Sequence, residues 1–232
     1  AVAQPLDSTQ PRVQRHIAMS DLQRHLNGFL LEPRETLEIE FKSWLALSTD
    51  KNHKALLAKA IIALANHGGG YLILGFKHAG DGSIVPDTPR PASFADYTDD
   101  CINSISGSYL DPAIHCEVRT ITHPETGLAY PVIAVPEGRV PVRSKKGSPD
   151  TKTLKDNHYY IRRAGPKSEP PQSGHEWDRL LERCLMLRRA DLLHQFRLIM
   201  AGESLTPTSP TGDTPAISTR PTCGRRRSTS TR

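Results

Sequence analysis

The stretch ALANHGGGYLILGF, residues 63–76, decides the fold. Alanine and leucine at helical spacing lead into Asn66 and His67, and three glycines follow. A glycine after a helix supplies the left-handed residue that ends it. The run from Tyr71 to Phe76 is short, continuous and apolar, which suits a strand covered on both faces. The stretch therefore reads as helix, tight turn and buried strand. The helix extends back to about His53, with Leu56, Ala60, Ala63 and Leu64 as its apolar stripe. The order is the reverse of a P-loop, and no GKS or GKT follows. The glycines read first as a cap and turn; N–H groups turned toward a phosphate are the alternative.

Working outward, Leu37, Ile39 and Phe41 alternate with Glu38, Glu40 and Lys42, a period-two strand with an acidic face. Ahead of it, Ser20 is suited to cap a helix from Asp21 to Leu30. Downstream, the spacing predicts a GDG turn at 80–82, a helix from Phe94 to Ser106, and a hairpin of residues 113–121 with 129–135. A short strand near Val140–Arg143, a strand at Asn157–Arg163 and a helix from about His175 toward Met200 complete the pattern. The expected class is α+β: one domain over residues 19–200, with a mixed, mostly antiparallel sheet packed against helices. Residues 1–18 read as a flexible lead-in. Residues 201–232, rich in Ser, Thr, Pro and Arg, bury too little apolar surface to offset ordering and are expected to be disordered.

Composition narrows the function classes. The four cysteines, Cys101, Cys116, Cys184 and Cys223, form no CxxC or paired Cys/His spacing, which argues against a zinc site or a disulfide framework. Scattered thiols fit a reducing compartment, and the expectation is a cytoplasmic protein. No apolar run approaches the ~20 residues a membrane helix needs. No serine has the setting of a nucleophile elbow. The net charge of +5 is unevenly spread. Residues 139–167 hold nine Lys/Arg against Asp150 and Asp156, whereas the rest of the body is mildly acidic. Such asymmetry is the footprint of a polyanion partner, although a solvated lysine loop has the same composition.

Three segments, taken in order, resemble the Schlafen AlbA-like (AlbA_2) domain family: RETLEIEFK at 34–42, ALANHGGGYLILGF at 63–76, and HYYIRRAGPKSEPPQSGHEWDRLL at 158–181. The resemblance spans about 150 residues and rests on the order and spacing of the motifs. It implies an α+β fold and a nucleic-acid association, with DNA or RNA as partner. Some members of the family are ribonucleases, and others are described as DNA-binding or ATP-binding proteins. Paired modules in such folds imply a homodimer.

Two candidate sites follow. Carboxylates from one strand are ligands for a hard divalent cation, and a nearby lysine stabilises developing charge. In ribonuclease members, two glutamates at the spacing of Glu35 and Glu40 act with an aspartate after the buried strand, with Mg or Mn as cofactor. By that resemblance Glu35 and Glu40 are the metal ligands, Lys42 the cation, and Asp81 the substitute third acid. The chain departs from the pattern here, because Lys77 and His78 follow Gly75-Phe76. The second candidate is the basic stretch. Arg139, Arg143, Lys145, Lys146, Lys152, Lys155, Arg162 and Arg163 are suited to phosphates, and Tyr160 to an unpaired base. The departure at Lys77 favours nucleic-acid binding through this stretch over metal-dependent endoribonuclease activity on structured RNA such as tRNA, with an ATP-binding regulatory role third.

Overall fold

A computed structural model describes residues 19–165 and 167–201. The helix, turn and strand read from residues 63–76 are present. Helix α2 runs Lys51–His67 and strand β2 runs Gly70–Leu74. Asp50 caps α2 by accepting from the Asn52 and His53 amides, at 2.7 and 3.4 Å. Gly68 ends it with φ 133°, its N–H returning to the Leu64 carbonyl at 3.1 Å. At Gly70 (φ 157°) a Cβ would collide with the Glu38 carbonyl, and at Gly75 it would lie 2.5 Å from the Trp44 ring. These glycines serve close backbone and ring packing.

The acidic strand is β1, Ile39–Lys42. It pairs parallel with β2, Ile39 opposite Tyr71 and Lys42 opposite Leu74. The predicted hairpin is β6 (Glu117–Thr122) and β7 (Ala129–Val135), and β7 also lies antiparallel to β2. The main sheet thus has the order β1-β2-β7-β6. Residues after Gly75 turn away as a small hairpin, β3 (Phe76–His78) with β4 (Ile84–Pro86), around the GDG turn.

Helices cover both faces of this sheet. Helix α1 (Met19–Leu31) places Leu22, Leu26 and Leu30 with Ile39, Phe41, Ile73 and Val132. On the opposite face, α2 and α3 (Asp99–Tyr109) pack Ile61, Leu64, Ile102 and Ile105 with Leu72, Leu74 and Ile133. Burial on both sides explains why β2 is apolar without alternation. It also corrects the expected α2 stripe: Ala55, Leu57 and Ala58, and every residue from Ala60 to Asn66, are buried, while Leu56 is half-buried. The cover on the far side of α2 is β9 (Ile161–Arg163) with β10 (Lys167–Glu169).

Other bounds differ for local reasons. The helix expected at Phe94–Ser106 begins five residues later, because Thr98 caps it through the Cys101 amide and Asp99 and Asp100 fill its first turn. The strand expected near Val140–Arg143 is only β8, Arg143–Ser144, paired with β5 (Leu110–Asp111). Strand β9 is three residues rather than seven. Helix α4 spans Gly174–Met200. The chain divides between Leu192 and Leu193; described residues beyond that point are the last turns of α4. The class is α+β, as expected. The cap expected at Ser20, the lead-in 1–18 and residues 202–232 lie outside the described side chains and residues. No described helix is long and apolar enough to cross a membrane.

Candidate nucleic-acid interface

The two sites expected from sequence meet at one residue. Glu40 projects from β1 on the α2 side and is only 2% exposed. Its Oε2 accepts from Arg162 at 2.9 Å, and its Oε1 lies 2.6 Å from the Lys42 ammonium. Arg162 is itself buried on β9 and also donates to the Thr36 carbonyl at 2.7 Å and the Ile39 carbonyl at 3.3 Å. This guanidinium ties β9 to β1. Removing one partner of a buried pair costs about 3–5 kcal/mol, because the other charge is left unanswered.

The remaining acids do not join Glu40. Glu35 accepts from the Phe41 amide at 3.1 Å and lies 4.0 Å from His78 Nε2. Asp81 stays in its turn, accepting from the Ser83 hydroxyl at 2.6 Å and amide at 2.9 Å, bonds that hold its carboxyl below the ordinary range. Lys77 pairs with Asp87 at 3.2 Å. Among the described residues no three His, Cys, Asp or Glu side chains converge. With Glu40 engaged by two cations, the residues present do not fit a divalent metal at Glu35 and Glu40.

The basic stretch divides by residue type. Its arginines are answered by acids. Arg139 meets Asp191 at 2.7 Å, and Arg143 donates twice to Asp111, at 3.1 and 2.8 Å. Arg163 meets Glu169 at 3.0 Å and Glu176 at 2.7 Å. Guanidinium forks suit such fixed pairings. The lysines make no ion pair with a described carboxylate. Lys145 donates to the Gly107 carbonyl at 3.0 Å, and Lys146 lies 4.3 Å over the Tyr109 ring. Lys152 and Lys155 are exposed. Tyr160 is buried, and its hydroxyl accepts from the Lys155 amide at 2.8 Å, so it presents no ring face to a base.

The loop that carries these lysines is closely held. Asp150 accepts from the Lys152 and Thr153 amides at 3.1 and 3.0 Å and from the Ser148 and Thr153 hydroxyls; the Ser148 bond leads in holding its carboxyl far below the ordinary range. The Asp150 amide reaches Asn52 of α2 at 3.3 Å. At the base, Asn66 is 3% exposed and spends its whole amide on the loop. It donates to the Val142 and Tyr160 carbonyls at 2.7 and 2.9 Å and accepts from the Val142 amide at 2.8 Å.

Beside the Glu40–Arg162 pair is a cavity of about 320 Å³ lined by Lys42, Lys59, Lys167, Ser168 and Glu169, with Glu40 at its wall. Lys59 is half-buried on α2, its ammonium 5.3 Å from the Tyr160 ring centre. Burial pushes its pKa down from the ordinary lysine value, Glu40 opposing and Lys42 adding to the shift. Neither Lys59 nor Lys167 pairs with a carboxylate among the described residues. Sequence reading missed Lys59, although a signal existed: it is the only charge between Ala55 and Asn66. A second cavity, about 380 Å³ around Trp44, Tyr97 and Asp96, is lined by no lysine or arginine and offers a polyanion nothing.

The model of the family described as "Schlafen, AlbA_2" matches residues 35–171. No curated protein matches the chain. Among solved structures, the DIP2311 protein of Corynebacterium diphtheriae is similar at 14% identity and a TM-score of 0.41, covering 68% of this chain; this chain spans 32% of that one. The N-terminal domain of a RecG-related protein from Nitrosomonas europaea is similar at 24% identity and a TM-score of 0.33, over 66% of this chain and 87% of that one.

Proposed function

The chain belongs to the Schlafen AlbA_2 family, and from that premise we propose that it is a nucleic-acid-binding module gripping phosphates with lysines rather than arginines. The contact set is Lys59 and Lys167 at the cavity that Lys42 also lines, continued by Lys145, Lys146, Lys152 and Lys155 of the loop. One observation carries the reading: within a single basic stretch the arginines are consumed by acids, whereas the lysines keep their charge for a ligand. The loop adjoins the cavity through Tyr160, which takes the Lys155 amide on its hydroxyl and Lys59 over its ring. Metal-assisted cleavage by Glu35, Glu40 and Asp81 is not part of the proposal, because both oxygens of Glu40 are held by cations and the three acids do not converge.

Fluorescence anisotropy with single- and double-stranded DNA and RNA at rising salt tests it. Contact with about four phosphates gives a log–log salt slope of roughly −3. A slope near zero for every ligand would sink the reading.

A further inference from the structure

We infer that the Lys42–Lys59–Lys167 cavity takes the dianionic phosphate of a phosphomonoester, carried either at the end of a polynucleotide strand or on a free mononucleotide. The inference rests on the reading of this face as a phosphate-binding surface and names the chemical form of phosphate that its cavity selects.

The charge balance argues for a dianion. Three acids, Glu40, Glu169 and Glu176, stand against three cations paired with them, Arg162, Arg163 and Lys42. Lys42 shares the other oxygen of Glu40. The ammoniums of Lys59 and Lys167 are left without a described carboxylate. An internal phosphodiester brings one negative charge; a phosphomonoester at neutral pH brings about 1.5 to 2 and three acceptor oxygens. Lys59 also gains from an added anion, since its half-buried ammonium has lost part of its water and Glu40 and Glu169 offset that loss only in part. Ser168 supplies a hydroxyl at the same wall, already 3.3 Å from Arg162 and 3.4 Å from Glu40. A volume of about 320 Å³ falls at the lower end for small-ligand sites and admits a nucleotide-sized group.

The test compares one single-stranded oligonucleotide in three forms: 5′-phosphorylated, 3′-phosphorylated and hydroxyl-ended. Inorganic phosphate and a mononucleotide compete in parallel, against the full chain and the variants Lys59→Met and Lys167→Ala. Lys167 is exposed, so its variant keeps the test valid if Lys59→Met folds poorly. The expected result is about tenfold tighter binding of one phosphate-ended form, a gain lost in both variants. Binding of the mononucleotide alone, abolished in both variants, supports the cavity assignment and refutes the polymer reading. Equal affinity for all three oligonucleotides overturns the inference while nucleic-acid binding stands. No binding of any probe overturns both.

Discussion

Arg162 and Lys59 both act on the same carboxylate, Glu40, yet they live in different environments. Arg162 is buried, fixed by one carboxylate, two backbone carbonyls and a hydroxyl. Lys59 faces an open cavity with an aromatic ring beneath it and makes no ion pair with a described carboxylate. The first charge is part of the architecture; the second is available to a ligand. A basic count over a stretch of sequence adds the two kinds together. Only the contacts separate a guanidinium that holds strands in place from an ammonium that can be answered from outside.

The largest expected effect breaks the architectural half. Arg162→Ala or Glu40→Ala alone should lower stability by about 3–5 kcal/mol, while Glu40→Leu with Arg162→Met should recover most of it. Urea denaturation measures this, and single variants as stable as the parent would show that the pair is not formed. Next, Asn66→Ala strips the partners from three buried backbone groups and should cost about 3 kcal/mol. The same denaturation series should place it below Arg162→Ala; a loss under about 0.5 kcal/mol would detach the loop from the helix that is taken to hold it. For the ligand-facing half, Lys145→Ala with Lys146→Ala should stay within about 0.5 kcal/mol of the parent. It should also lower oligonucleotide affinity about tenfold and flatten the salt slope by one to two units. Loss of stability with unchanged affinity would reverse the assignment.

The smallest effect is on pH dependence and concerns Lys59 alone. Its folded pKa is lowered by burial, so above that value the unfolded chain holds the proton that the folded chain releases. Raising pH from the folded value toward 10.5 should therefore add stability and, in the same window, weaken anion binding. Lys59→Met should remove both slopes, and a parent-like affinity profile in that variant would rule out Lys59 as the titrating group.

Much of the fold was legible because its local signals agree. The helix, glycine turn and apolar run of residues 63–76 could be read directly, and so could the alternation around β1 and the β6–β7 hairpin. The α3 start was misplaced because Tyr97 resembles a helix residue, although its hydroxyl is bonded to Leu45 instead. The site was less legible. Two residues apart in an extended chain, Tyr160 and Arg162 share one face, but nothing local says that this face packs on α2. Lys59 escaped for the complementary reason: a lysine in a helix suggests the solvent side, and α2 has almost none. Both errors come from contacts between residues about a hundred positions apart, such as Arg162 with Glu40.

Asn66 deserves its place in the opening motif for a reason unrelated to helix ends. By holding Val142 and Tyr160 together, it closes about twenty residues of intervening chain into a ring without a covalent bond. Closing such a ring in advance removes conformational freedom that a ligand would otherwise have to quench on arrival. Amide exchange should then be graded: the Val142 N–H released only when the whole domain opens, the Lys152 and Thr153 amides, tied to Asp150 at the surface, exchanging sooner. A base fixed in the core beneath a tip braced by its own Asp150 keeps the lysines in place without calling on the sheet behind them.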